Sequence, residues 1–310
     1  MPEIRYNRIT GDWVIVAPER SKRPADFAAK DLKSPPLPQV VTCPFCRGNE
    51  AKSEEQFRLA DNDGDWIVRV VTNKFSALTP GGEPTERLEN GHTITQGVGL
   101  HEVIIENPRH DLTTALYSTD QVGLILQTYL HRFQAFYSDP RIRHVIVYKN
   151  HGEEAGTSLE HPHSQIVGLP VYPGQVTRRL ALAKENFEKL KTCPGCLTLA
   201  EELKAKTRIV RENRSFVAFI PFAALSPYHL WIFPRRHHAS FGDIHSEELT
   251  DLAEMLKAIL YKLYHGVGNP SFNYVIRSLG PKDRGLQYSH WYLAIVPRIS
   301  TSLTVAVIFD

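Results

Sequence analysis

Little in this chain favours a secreted, membrane-bound or polyelectrolyte protein. Only four of its 310 residues are cysteine, too few for the disulfide framework of a small secreted domain. No stretch approaches the ~18 consecutive apolar residues of a membrane span, and the opening Met1-Pro-Glu-Ile-Arg5 carries no hydrophobic leader. A cytoplasmic protein is expected. Charge of one sign is also missing: 36 Lys and Arg stand against 34 Asp and Glu, a net +2. That balance does not suit a protein whose task is to neutralise nucleic-acid phosphates, so neither nucleic acid nor membrane is an expected partner. What is present, 42% hydrophobic and 23% charged residues, is globular composition and excludes a disordered chain. The length suits about two domains.

The scarce cysteines are concentrated. All four fall in two Cys-Pro-x-Cys pairs, Cys43/Cys46 and Cys193/Cys196, 150 residues apart. This separation is too great for a compact four-cysteine zinc ribbon, so each pair needs further ligands. A thioredoxin-like redox role is the alternative, but neither pair stands in a βαβ pattern.

The order of parts repeats. In the first half, Cys43 and Cys46 precede the strand candidates Trp66–Val71 and Val103–Ile105 and then His110. A helix follows, with Ser118 and Gln121 spaced as a capping box and Pro140 ending it. Next come the strand Val145–Tyr148 and His161-Pro-His163-Ser-Gln165. The second half runs through Cys193 and Cys196, the strands Phe216–Ile220 and Leu230–Phe233, and His237-His238. A helix beginning near Ser246, the strand Tyr274–Ile276 and His290-Trp-Tyr292 complete it. The histidine separations match closely, 51 residues from His110 to His161 and 53 from His237 to His290. Two equivalent α+β units are expected, 1–174 and 175–310, joined by a charged helix over Gln175–Lys191.

Each half supplies two thiols and two spaced imidazoles, the ligand set of a closed tetrahedral zinc site. The expected sites are Cys43, Cys46, His110 and His161, and Cys193, Cys196, His237 and His290, with the neighbouring His238 competing with His237 for the metal. Both sites are structural.

The halves differ where chemistry is expected. Aligning His161 with His290 sets His163 opposite Tyr292 and Gln165 opposite Ala294. His161 and His163 in one strand would share a face. One imidazole can then hold metal while the next presents a free nitrogen to an activated phosphoryl group. Gln165 can donate to a phosphoryl oxygen, and the preceding segment Lys149–Ser158 supplies amide, hydroxyl and glycine groups suited to phosphate.

On these residues, together with Arg5-Tyr-Asn7, Thr10-Gly-Asp-Trp-Val14, Arg20 to Pro24, Cys43-Pro-Phe-Cys46 and Thr72-Asn-Lys-Phe-Ser-Ala-Leu78, the chain resembles the galactose-1-phosphate uridylyltransferases of the histidine-triad superfamily. That group includes close relatives acting as ADP-glucose phosphorylases. The resemblance implies an α+β fold of two tandem histidine-triad-like units, each an antiparallel sheet with packed helices, in a homodimer. It implies that His163 attacks the α-phosphorus of a nucleotide sugar and that Gln165 stabilises the transferring group. Asn73 and Phe75 would line the nucleoside pocket, Asn150, Gly156 and Ser158 would sit at the phosphates, and Arg20 and Arg23 would add positive charge.

Two departures bear on the substrate. The chain ends Ile299 to Asp310 without the polar segment that contacts the hexose in many members, and Lys74 stands where uridylyltransferases often carry an acidic residue. Uridylyl transfer between UDP-glucose and galactose 1-phosphate leads, with phosphorolysis of ADP-glucose as the alternative. A nucleotide-sugar hydrolase and a zinc-stapled binding module are the readings from other classes.

Overall fold

A computed structural model describes residues 3–16 and 37–299. Arg20 and Arg23 and the chain beyond Ile299 lie outside the described residues. A short hairpin, β1 (Glu3–Tyr6) and β2 (Trp13–Val16), comes first. The first unit continues with β3 (Glu55–Ala60), β4 (Trp66–Thr72), the hairpin β5 (Glu86–Glu89) and β6 (His92–Thr95), and β7 (Leu100–Ile105). After it come α1 (Thr119–Tyr137), β8 (His144–His151) and β9 (His163–Leu169). Two helices lead into the second unit, α2 (Gly174–Leu190) and α3 (Pro194–Ala205). Then follow β10 (Ile209–Glu212), β11 (Phe216–Phe219), β12 (Leu230–Pro234), α4 (Ser246–Val267), β13 (Phe272–Arg277) and β14 (Tyr292–Pro297).

The repeat visible in the sequence becomes one sheet. Ten strands lie in the order β10-β11-β12-β14-β13-β8-β9-β7-β4-β3. Read inward from either edge, each half presents five strands in corresponding order, and the halves join where β8 pairs antiparallel with β13. Two free edges are thereby converted into a hydrogen-bonded seam, which removes exposed edge strands from the middle of the molecule. The equivalence is also one of register: Tyr148 lies across from Gln165, and Val275 across from Ala294.

Side chains alternate between the two faces of the sheet. On one face α1 and α4 pack against each other and on the sheet, burying Ile125, Tyr129, Phe133, Leu256 and Ile259 with Val70, Ile166, Ile276 and Leu293. The start of α1 follows the capping expectation in part. The Ser118 side chain accepts from the Gln121 amide, but the Gln121 side chain donates to the Glu106 and Ile67 carbonyls instead of reaching back. The cap thus becomes a tie between helix and sheet. On the other face the first unit carries a small cluster around Phe45, Trp66, Val103 and Ile105. The second carries Phe219, Trp231, Phe233 and Tyr292 against Leu199 of α3.

Two local expectations need correction, and a third detail was not foreseen. His161 precedes β9, so it shares a face with His163 through a bend and not through a common strand. Lys149, Asn150 and His151 belong to β8, and the loop begins only at Gly152. The second Cys-Pro-x-Cys opens a helix: Cys193 is the N-cap of α3 and Pro194 occupies its first position, where a missing N–H costs nothing.

Candidate active site and metal clusters

Two four-residue clusters form as expected. The ligating atoms of Cys43, Cys46, His110 and His161 lie within 4.8 Å of one another, as do those of Cys193, Cys196, His237 and His290. In the first, Cys46 Sγ is 3.5 Å from His110 Nδ1 and 3.6 Å from His161 Nδ1. In the second, Cys196 Sγ is 3.2 Å from His237 Nδ1 and 3.5 Å from His290 Nδ1. Of the two adjacent histidines, His237 is the one in the cluster. His238 is buried instead, with its Nε2 3.9 Å from Glu248.

The donor chemistry suits a soft divalent cation. His161 Nε2 lies 2.8 Å from the Asn107 carbonyl, and His290 Nε2 3.0 Å from the Pro234 carbonyl. A carbonyl only accepts, so each Nε2 carries the proton and each Nδ1 turns its lone pair toward the sulfurs. Burial pushes the His161 imidazole down to about 4, keeping it neutral. Burial first, and then the adjacent Cys46 sulfur, push the Cys43 thiol up, a penalty a cation between them would reverse.

His163 stands beside the first cluster without joining it. Its Nδ1 donates to the His161 carbonyl at 2.8 Å, which leaves Nε2 unprotonated, and Phe45 packs on the ring edge-on. Burial lowers its pKa. The result is a neutral imidazole with one nitrogen fixed and the other available. Beneath it lies a buried polar network that the sequence pattern did not announce. Lys149 Nζ donates to the His163 carbonyl at 3.1 Å and pairs with Glu106 at 2.8 Å. Glu106 also accepts from Thr114 at 2.7 Å and from Ser164, which is bonded to Tyr129, and Tyr129 meets Tyr274 at 2.6 Å. Burial works against the Glu106 carboxylate, yet Lys149 and these donors hold its pKa below the usual range. A carboxylate and an ammonium in a heptad-free, strand-bound setting leave no spacing signature; only their polarity within apolar runs marks them.

Gln165 is oriented from three sides. Its Oε1 lies 2.9 Å from Tyr148 OH, 2.9 Å from His101 Nε2 and 3.4 Å from Asn73 Nδ2, so its amide N–H groups remain free to donate. Asn73 is thus brought to Gln165, and its own Oδ1 accepts from the Phe75 amide. Phe75 stands 85% exposed, open to a ring stacking on it. Asn150 is held across the seam, accepting from Asn273 at 2.8 Å, and the same Asn273 amide reaches the Ala155 carbonyl at 2.9 Å. Gly152 adopts φ +80, and a Cβ there would come within 2.2 Å of Ser271 Oγ. Only glycine permits that approach. Gly156 and Ser158 are exposed on this loop and make no side-chain bond to His163 or Gln165, while Thr157 Oγ1 is buried without a partner.

A duplicated sheet with a His-Pro-His-Ser-Gln segment beside one of two thiol–imidazole clusters defines a protein of the histidine-triad superfamily. Within it, the chain belongs to the galactose-1-phosphate uridyl transferase family, whose N-terminal domain model matches residues 1–173. That is a family of nucleotidyltransferase enzymes. The chain is similar to an ADP-glucose phosphorylase of Arabidopsis thaliana, 36% identical over 304 residues that cover 96% of this chain and 85% of that one. It is similar to the galactose-1-phosphate uridylyltransferase of Thermotoga maritima at 26% identity, covering 94% and 85%. Among solved structures, an ADP-glucose phosphorylase from Arabidopsis thaliana with bound ADP-glucose has a TM-score of 0.80 at 32% identity, covering 97% of this chain and 90% of that one.

Proposed function

We propose that the protein transfers a nucleoside monophosphate from a nucleotide sugar to an acceptor phosphate through a covalent nucleotidyl-His163. The observation that carries this reading is the hydrogen bond from His163 Nδ1 to the His161 carbonyl, which commits Nε2 to the role of nucleophile. Its lone pair attacks the α-phosphorus, the bond to the bridging oxygen breaks, and the sugar phosphate leaves. The positive charge left on the ring is stabilised by the His161 carbonyl. Gln165 donates to the phosphoryl oxygens, and the reverse attack by the acceptor phosphate restores His163. Asn73 and Phe75 take the nucleoside; Asn150, Gly156 and Ser158 take the phosphates.

Both clusters suit zinc: four donors, two soft sulfurs and two imidazoles each. A zinc ion in a closed set of this kind supplies folding free energy and fixes the loops that carry His110 and His161. The unit 1–174 is read as catalytic and the unit 175–310 as its support. The reading includes a homodimer, on the family resemblance, and a cytoplasmic site of action, which the unbridged cysteines support. No helix among the described residues is long and apolar enough to cross a membrane.

Two donor–acceptor pairs fall within this chemistry. The family model supports UDP-glucose with galactose 1-phosphate. The 36% identity to an enzyme named ADP-glucose phosphorylase favours ADP-glucose with inorganic phosphate. Incubation with each labelled nucleotide sugar alone should trap an acid-labile nucleotide on the protein with the true donor, and initial-rate plots against acceptor should be parallel. Intersecting plots without a trapped nucleotide would refute the covalent route, and release of free nucleotide without acceptor would make the protein a hydrolase.

A further inference from the structure

The second unit has a cavity where the first has its reacting face. It lies between α2 and the strands β13 and β14, on the side of the sheet that carries Tyr292 and Ala294, the positions equivalent to His163 and Gln165. Arg277 pairs in register with Tyr292. By the same register it stands at the position of Asn150, the residue assigned to phosphate in the first unit. Arg179 projects into the cavity from α2.

We propose that this cavity, lined by Arg277 and Arg179, is a second and non-catalytic binding site for a phosphate monoester dianion. Among the described residues neither guanidinium makes an ion pair or a side-chain hydrogen bond, although Arg277 is half-buried. Among the described residues Asp283, a carboxylate acting on His144 at this corner, is engaged by the Tyr172 hydroxyl at 2.5 Å. The cavity is also lined by His144, Tyr288, Tyr292 and the cluster residue His290, none of which carries a negative charge at neutral pH, and His144 Nδ1 has no partner. Two like charges confined together repel each other, and burial adds to the cost, so the cavity lacks an anion electrostatically. Two planar donor forks match the charge and the oxygens of a phosphate dianion better than those of a single carboxylate. Much of the remaining wall is apolar, with Val176, Leu180, Val275 and the Tyr288 ring, and suits the organic part of a monoester. A tyrosine in place of the nucleophile means that the ligand is held and not transferred. The comparisons with Asn150 and with the nucleophile rest on the function proposed above, but the two unpaired guanidiniums in the cavity do not, and a protein inactive in that reaction would keep the site.

The shared ligand chemistry, a phosphate monoester, comes from two sources: a nucleoside monophosphate or a sugar phosphate. Calorimetric titration of the full-length protein with AMP, glucose 1-phosphate and inorganic phosphate in separate arms distinguishes them. In wild type, one of the two esters should bind with one equivalent per chain more than in Arg277→Gln and Arg179→Gln, whose affinity for that equivalent falls by ~10-fold or more. Trapping of nucleotide on His163 should be unchanged in both variants. In phosphate-free buffer Arg277→Gln should melt at a higher temperature than wild type, because a like-charge contact is gone. Equal stoichiometry in wild type and both variants would overturn the proposal. So would a lower melting temperature of Arg277→Gln, which would show the cation already neutralised within the fold. Arg179→Gln changes a residue on a helix with no buried position, so it answers the question even if Arg277→Gln fails to fold.

Discussion

The two units share a strand order and a cysteine–histidine cluster, yet among the described residues only the first encloses an ion pair with both partners buried, Lys149 with Glu106. At the position of Lys149 the second unit has Ile276, and at that of Ser164 it has Leu293, both in the apolar core with α1 and α4. A buried ion pair rarely adds net stability over a well-packed apolar alternative. Its presence under His163 alone therefore has a positional explanation: Lys149 grips the His163 carbonyl and Glu106 anchors the lysine. The second unit, with Tyr292 in that place stacked on Phe233 at 4.7 Å, has nothing to position. Duplication supplies the frame, and divergence concerns which side chains the frame must hold still.

The strongest way to break this comparison is to remove the proposed nucleophile, His163. His163→Ala should lower turnover by roughly 10⁴-fold or more, with metal content and melting temperature close to wild type, since His163 contributes to neither cluster. Tyr292→Ala, its counterpart, should cost stability through lost aromatic packing and leave nucleotide trapping intact. Comparable loss of turnover in both variants, measured on folded protein, would end the division into catalytic and supporting units.

Next in size is the charge network. Lys149→Met strands the Glu106 carboxylate in the core and should destabilise by about 3–5 kcal/mol in urea unfolding. The double variant Glu106→Leu/Lys149→Met should recover much of that stability, approaching the apolar solution of the second unit, while turnover stays depressed. Recovery of turnover along with stability would show that the network supports the fold and does not position His163.

This division was legible in the sequence only in part. The repeat, the eight cluster residues and the difference between His163 and Tyr292 follow from spacing, because metal ligands are rare residue types at fixed separations. The single continuous sheet does not follow, since the pairing of β8 with β13 joins segments more than a hundred residues apart without a local signal. The Glu106–Lys149 pair was hidden for a related reason. Glu106 follows the end of β7 and its partner lies on β8, and Lys149 next to Asn150 reads as part of a polar loop until the register shows it facing the helices. The grip of Asn273 on Asn150 is likewise a product of the seam and invisible from either half alone.

Acid should weaken both units. Burial holds His144 and His229 down to about 4, against an ordinary value near 6.5. Below about pH 6.5 the unfolded chain therefore binds more protons than the folded one, and stability falls as pH drops from there toward 4. The loss between pH 7.5 and 5 is on the order of 2 kcal/mol for each histidine. Glu106, depressed by Lys149, acts in the same direction at lower pH, since its contribution is present above the ordinary carboxylate range and lost through protonation. Urea midpoints measured across pH 5 to 8 should show the decline, and His229→Asn should flatten it. A flat profile in wild type would contradict the burial of both imidazoles.

The smallest effect separates the two clusters themselves. All four residues of the first are buried, whereas in the second His237 is exposed and Cys196 half-buried. A chelator needs access to ligands that open transiently, and an exposed imidazole at the end of β12 opens more readily than one under Phe45. Mild chelation should therefore remove one equivalent of metal per chain quickly and the other slowly. Turnover should survive the first loss within about twofold, because His237 and Cys196 touch nothing at His163, and disappear with the second, because His161 carries the carbonyl that fixes the His163 tautomer. Cys196→Ser should reproduce the first stage, with one equivalent bound and activity kept, and Cys46→Ser the second. Simultaneous release of both ions, or loss of turnover in step with the first, would mean that the seam between β8 and β13 couples the units more tightly than their separate ligand sets suggest.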